Sequence, residues 1–155
     1  MDNRKSVVFK DDFETKIKKG INTLANAVKT TMGPKGKLVL IQRNNQHPIV
    51  TKDGVTVANA INLEDEIENL GVQVIKEAAI RTAEEAGDGT TTATVLAHNI
   101  LREGYKRVMN GSNPVELKRG MDQAVKAIVG EISKLSNDVT TNEHIKEVGT
   151  ISANN

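Results

Sequence analysis

The chain has no cysteine and almost no aromatic surface, and both absences narrow what it can do. Without thiols there is no disulfide framework, no thiolate metal ligand and no cysteine nucleophile, a composition suited to a reducing compartment. The aromatic residues are Phe9, Phe13 and Tyr105, too few to build a stacking platform for bases. An excess of one charge sign is also missing. Lys and Arg total 21 against 20 Asp and Glu, a net charge of +1, which gives no electrostatic pull toward nucleic acid. His47, His98 and His144 are scattered without the spacing of a zinc site. No apolar run approaches the roughly 20 residues that span a bilayer, so neither a membrane nor nucleic acid is an expected partner. Met1 to Lys10 has no apolar core of a signal peptide and is not the long, Arg-rich, acid-poor segment of a transit peptide. A cytoplasmic protein is expected.

What is present is a chain of 155 residues, 37% apolar and 26% charged, without internal repeat or low-complexity segment. That length supports one domain with its own core. The balance is slightly polar for a self-sufficient domain and leaves room for a missing portion or an oligomer interface.

Four helical patterns stand out. Phe13, Ile17, Ile21, Leu24, Val28 and Met32 recur at three- and four-residue steps from about Asp11 to Thr31, and Gly33-Pro34 stops them. The second runs from about Leu63 to Ala86, with Ile67, Leu70, Val74, Ala78 and Thr82 on its expected buried face and Gly87 at its end. The third begins at Thr90 to Thr92 and reaches Asn110-Gly111; it is expected to bury Val95, Leu96, Ile100, Leu101, Val108 and Met109. The fourth has Asn113 as N-cap, Pro114 at its first position and Glu116 where a capping-box acid belongs. Its stripe is Leu117, Met121, Ala124, Val125, Ile128, Ile132 and Leu135.

Between the first two helices the period changes. Lys37 to Ile41 and Pro48 to Thr51 are β-prone runs joined by the polar stretch Arg43 to His47, which predicts a hairpin with more than a two-residue loop. Val7-Val8-Phe9 is a further candidate strand. An isolated hairpin is marginal in water, so these strands are expected to complete a sheet with other parts of the protein or another subunit. Thr56 to Ile61 reads as a short helix, Ser136 to Thr141 as a linker, and Asn142 to Val148 as a last short helix.

Gly87-Asp88-Gly89-Thr90-Thr91-Thr92 carries the most chemistry. Its glycines allow a tight turn and close approach of a ligand, and the threonines open a helix whose free N–H groups attract anions. Asp88 would repel phosphate unless a divalent cation lay between, as magnesium does when it takes a carboxylate together with phosphate oxygens. A capped, Gly-rich helix start explains the same residues without any ligand, and from this loop alone both readings stand. Thr31-Met32-Gly33-Pro34-Lys35-Gly36-Lys37 reads either as a helix stop with basic residues near the dipole or as a ligand loop; it does not have P-loop spacing. Asp53-Gly54 is an ordinary turn signal, though Lys52 and Asp53 together offer a phosphate contact and a carboxylate for metal or water. Val148 to Asn154 reads by itself as a turn and strand start.

Taken in order, these segments resemble the group I chaperonins, the GroEL-like ring proteins. MGPKGK (Met32 to Lys37), TKDGVTVA (Thr51 to Ala58), GDGTTTATVLA (Gly87 to Ala97), NPVELKRG (Asn113 to Gly120) and VGTISAN (Val148 to Asn154) all match the family pattern, and the likeness runs from about Lys10 to the last residue. The resemblance implies a mainly α, multihelical equatorial ATPase domain of the GroEL-like fold, incomplete, with a small β-hairpin. It implies residues 1–135 as the N-terminal equatorial segment and 136–155 as the start of the intermediate hinge domain. It further implies ATP and Mg2+ as ligands. Thr31, Met32, Gly33 and Pro34 would line the nucleotide, Lys52 would contact it, and Asp88, Gly89, Thr90, Thr91 and Thr92 would wrap the phosphates. Asp88 would ligate the metal, and Asp53 would be the catalytic residue beside the γ-phosphate. The hairpin would pair with a neighbouring subunit's terminal strands.

Family subunits are several times longer. Against them this chain lacks the intermediate-domain aspartate implicated in hydrolysis, the residues around adenine and ribose, and the apical surface for non-native proteins and co-chaperonin. Two functions follow from the resemblance. One is an ATP-driven folding assistant in a ring homo-oligomer, of which this chain is a truncated portion with little or no turnover of its own. The other is a non-catalytic, chaperonin-like interaction protein that associates with itself or with full-length subunits.

Overall fold

The computed structural model describes residues 9–44 and 46–153. The chain runs α1 (Lys10–Lys29), β1 (Val39–Arg43), β2 (Gln46–Thr51), α2 (Gly54–Ala60), α3 (Glu66–Ala86), α4 (Thr90–Met109), α5 (Pro114–Leu135) and α6 (Asn142–Ser152). It is mainly helical with one two-stranded antiparallel sheet, as the equatorial-domain resemblance implies. No helix among the described residues is long and apolar enough to cross a membrane. Of the strand expected at Val7 to Phe9, Val7 and Val8 lie outside the described residues, and Phe9 is the extended residue preceding α1. The fold divides into two compact units, one ending at His98 and the other beginning at Asn99.

The first unit is built on α1 and α3. Gly20 faces the Glu68 carbonyl and Gly71 faces the Ile17 carbonyl, each so close that a Cβ there would collide with backbone. Lys16 Nζ pairs with Asp65 Oδ2 at 2.7 Å, and Lys19 Nζ with Glu68 Oε1 at 2.5 Å, between the two helices. Asp65 caps α3 by accepting from the N–H groups of Ile67 and Glu68, and Gly87 ends that helix with φ 73°. Leu24, Val28, Val57, Ala58, Val72, Ile75 and Ala79 form the buried core. Fully burying a side chain such as Leu24 or Ile75 contributes roughly 1.5–3 kcal/mol.

The buried face of α3 is therefore not the one its periodicity suggests. Leu70 and Val74 are each 53% exposed, while Gly71, Val72, Ile75 and Ala79 lie inside. The helix is apolar on more than one side, and the close approach permitted by Gly71 selects the side that meets α1. In α4 a similar correction applies. Leu96, Ile100, Leu101 and Met109 stay exposed, and the buried positions are Thr90, Thr94 and His98. Thr94 Oγ1 donates to Thr90 O within the helix at 2.8 Å, and His98 Nε2 lies 2.8 Å from Asn22 Oδ1 of α1.

The hairpin is tighter than expected. Arg43 pairs with Gln46, and the register shifts between Ile41 and Arg43, so only positions 44 and 45 separate the strands. Asn44 suits a turn, and flanking polar side chains do not interrupt a ladder that uses backbone groups. The short helix α2 also begins earlier than read, at Gly54, because Asp53 caps it.

In the second unit α5 starts as its sequence says. Asn113 Oδ1 accepts from Val115 N at 2.8 Å and Glu116 N at 3.4 Å. Glu116 does not close a capping box; its carboxylate takes a hydrogen bond from Arg119 instead. No residue of α5 or α6 is buried. Helix α6, capped by Thr141, runs through Ser152, so Val148 to Ser152 continue a helix where a turn and strand were expected. Gly149 is tolerated within it, and Asn154 lies outside the described residues.

Candidate functional site

Every candidate site residue falls in the first unit. The Gly87–Thr92 loop joins α3 to α4 with two left-handed glycines, Gly87 at φ 73° and Gly89 at φ 80°. Nothing lies within 4 Å of where a Gly87 Cβ would be, and only the Thr82 methyl reaches that distance at Gly89. The glycines here are required by backbone conformation, and the space beside them is open. Asp88 is exposed, and its Oδ1 accepts from Gly89 N at 2.6 Å. Ala93 N is the donor to Gly89 O, at 2.9 Å, so the N–H groups of Thr90, Thr91 and Thr92 precede the helical ladder. Such a start carries free donors and the positive end of the helix dipole.

The Thr51–Gly54 segment meets this loop directly. A Cβ on Gly54 would lie 3.0 Å from Thr91 N and 3.1 Å from Thr91 Cα; the first turn of α2 therefore rests on the first turn of α4. The sequence marked Asp53-Gly54 as a turn and Lys52 with Asp53 as a candidate phosphate and metal or water contact. It gave no sign of this packing, because the partner is distant along the chain. Asp53 Oδ2 accepts from Thr56 N at 2.7 Å and from Thr56 Oγ1 at 2.5 Å. Its Oδ1 takes no hydrogen bond from any described residue. Lys52 is exposed beside it, and Asp53 N donates to Thr51 Oγ1 at 3.0 Å.

Thr31 to Pro34 follow α1 in a turn. Thr31 is buried and donates from N and Oγ1 to Val28 O, Gly33 has φ 74°, and Lys37 N closes the turn onto Thr30 O at 2.7 Å. Met32, Gly33 and Pro34 are exposed. This turn is linked to the other two segments through the core, where Val28 of α1 joins Val57 and Ala58 of α2.

The fit of these residues to a magnesium–phosphate group rests on three features. Two open left-handed glycines flank an exposed carboxylate, a row of helix-start donors follows, and a second carboxylate with an unbonded oxygen stands on the neighbouring helix start. Among the described residues no group of three or more acidic or histidine side chains could hold a metal ion unaided. A cation here would need phosphate oxygens and water to complete its coordination.

Residues 24–155 match the model of the TCP-1/cpn60 chaperonin family. Among solved structures the chain is similar to the chaperonin gp146 from the bacteriophage EL 2 (Pseudomonas aeruginosa) in presence of ATP-BeFx. In crystal form II the identity is 31% over 93% of this chain and 28% of that one, with a TM-score of 0.72. In crystal form I it is 32% over 85% and 23%, with a TM-score of 0.67. A group III chaperonin in the open state gives 26% identity over 83% of this chain and 25% of that one, with a TM-score of 0.67. The chain thus spans less than a third of the length of the structures it matches.

Proposed function

Because the chain belongs to the TCP-1/cpn60 chaperonin family, we propose that it carries the phosphate- and magnesium-binding part of a chaperonin nucleotide site. The observation that carries this reading is the contact of Gly54 with Thr91, which sets Asp53 beside the helix start that follows Asp88. In this reading the N–H groups of Thr90, Thr91 and Thr92 donate to phosphate oxygens, with Gly89 allowing their approach. Lys52 supplies a positive charge from the side. Bound magnesium would offset phosphate charge and polarise the γ-phosphoryl group. Asp88 is its protein ligand. Asp53 Oδ1 orients a water or a cation at the γ-phosphate, while Oδ2 stays on Thr56. Thr31, Met32, Gly33 and Pro34 line the nucleotide. The gp146 structures, obtained with ATP-BeFx, support a nucleotide as the ligand class.

The longer protein is, in this proposal, a cytoplasmic group I, GroEL-like chaperonin that assists folding of non-native proteins in a ring homo-oligomer, with a co-chaperonin. Residues 1–135 belong to its equatorial domain and 136–155 open its intermediate domain. The hairpin supports the ring. Leu40 and Val50 are cross-strand partners and are 67% and 58% exposed, an apolar pair on a two-stranded sheet whose outer edges can accept a further strand. The test compares magnesium-dependent ATP hydrolysis by the 155-residue chain and by a longer version of the same gene. Turnover confined to the longer version is expected. A gene ending at Asn155 would instead favour the non-catalytic interaction protein.

A further inference from the structure

Lys76 is the one lysine the described core encloses: it is 6% exposed, on the inner side of α3. Its Nζ donates to Ile61 O at 3.1 Å, and burial pushes its ammonium below the usual lysine range. A cation so placed is costly unless the group it holds repays the desolvation. That group is the end of α2. Ile61 is the C-cap residue, its own N–H turned back to Ala58 O, so Lys76 sits where the helix dipole is negative.

At its other end α2 begins with Asp53. A seven-residue helix is about 10 Å long at 1.5 Å per residue, so what fixes one end orients the other. Val57 and Ala58 hold the middle in the core, and Gly54 rests on Thr91. The Lys76 bond adds a further point of attachment, at the end of α2 opposite Asp53.

We propose that Lys76 is a positioning residue for the nucleotide site, holding the far end of α2 so that Asp53 is kept in place beside the start of α4. The inference rests on the nucleotide reading above and names a residue outside the ligand-binding loops. A merely structural lysine would lower stability when removed, without regard to Asp53. A positioning lysine acts through Asp53, so its effect on ligand affinity disappears once Asp53 is gone.

The experiment is a double-mutant cycle in the 155-residue chain, reading affinity for the magnesium complex of the non-hydrolysable β,γ-imido analogue of ATP. Lys76→Met is expected to weaken binding by at least about twofold, the lower range of coupling between linked residues. In an Asp53→Ala background the same substitution should have no effect, and Lys76→Arg should restore binding. Equal losses in both backgrounds, or no loss in either, would overturn the inference. If Lys76→Met does not fold, Lys76→Gln takes its place in the cycle with the same two readings. A wild-type chain that binds no magnesium nucleotide would overturn the site reading and this inference with it. Wild-type binding with equal losses would overturn this inference alone.

Discussion

Asp53 holds Thr56 through Oδ2, at 2.7 Å from the backbone nitrogen and 2.5 Å from the hydroxyl, and so has a structural role alongside its proposed catalytic one. The two separate by substitution. Asn caps a helix about as well as Asp, whereas Ala costs about 1 kcal/mol, within a range of roughly 0.5–2. Asp53→Ala should therefore lower the melting temperature, and Asp53→Asn should leave it nearly unchanged while abolishing most ATP turnover in a ring-forming version. Parallel melts and hydrolysis assays read both; normal turnover by Asp53→Asn would remove Asp53 from the chemistry. At this scale the sequence was informative wherever the determinant is local. Gly87, Asp88 and Gly89 announce a tight turn by residue type, made with left-handed Gly87 and Gly89, and Asn113-Pro114 announces a capped helix start. The roles of Gly54 and Lys76 were hidden, because each depends on a partner that only folding brings near.

Helix α3 shows how much of an element periodicity leaves open. Its extent was legible from Gly87 and from the apolar spacing, yet Leu70 and Val74 proved exposed and Gly71 buried. Apolar residues surround enough of this helix that the glycine seam with α1 decides which side is covered. The same seam gives a prediction with a sign. Gly71→Ala gains about 0.5–1 kcal/mol of helix propensity, but its Cβ would meet the Ile17 carbonyl, and overpacking of this kind costs about 1–3 kcal/mol. Net destabilisation is expected. Gly120→Ala in α5 meets nothing within 4 Å and should be stabilising by the propensity gain alone. Urea denaturation of both variants checks the contrast. The hairpin and α6 teach a related point: polar loop residues and a mid-segment Gly149 looked like boundaries, but backbone hydrogen bonding carried both elements past them.

For the whole molecule, the fold class was legible, whereas exposure of the α5 stripe was not. Periodicity reports that Val125, Ile128 and Ile132 share a side; it does not say that the described residues leave them 55–59% exposed. Stability of the chain should depend on pH through the α1–α3 seam. The Lys16 hydrogen bond, with the Ile67 and Glu68 N–H groups, holds the Asp65 carboxyl below the usual carboxylate range. Its unfolded value is about 3.9, so its contribution is present above that pH and is lost as pH falls through the lower folded value. Lys76 works in the same direction in a higher pH window. Its folded value is lowered by burial, the unfolded chain binds more protons between the two values, and stability from this group rises with pH up to about 10.4. Denaturation at pH 7 and pH 3 should show a modest loss on acidification. Asp65→Asn, which retains an N-cap but loses the charge facing Lys16, should flatten that limb.

The most direct test of the site reading is calorimetric titration of the 155-residue chain and its Asp88→Ala variant with the same ATP analogue, with and without magnesium. Asp88 is exposed in a loop, and substitutions of that kind change stability by no more than about 0.5 kcal/mol. The account predicts saturable, magnesium-dependent binding that Asp88→Ala weakens by tenfold or more, about 1.4 kcal/mol, with its melting temperature nearly unchanged. Binding of equal strength in the variant, or binding indifferent to magnesium, would contradict it.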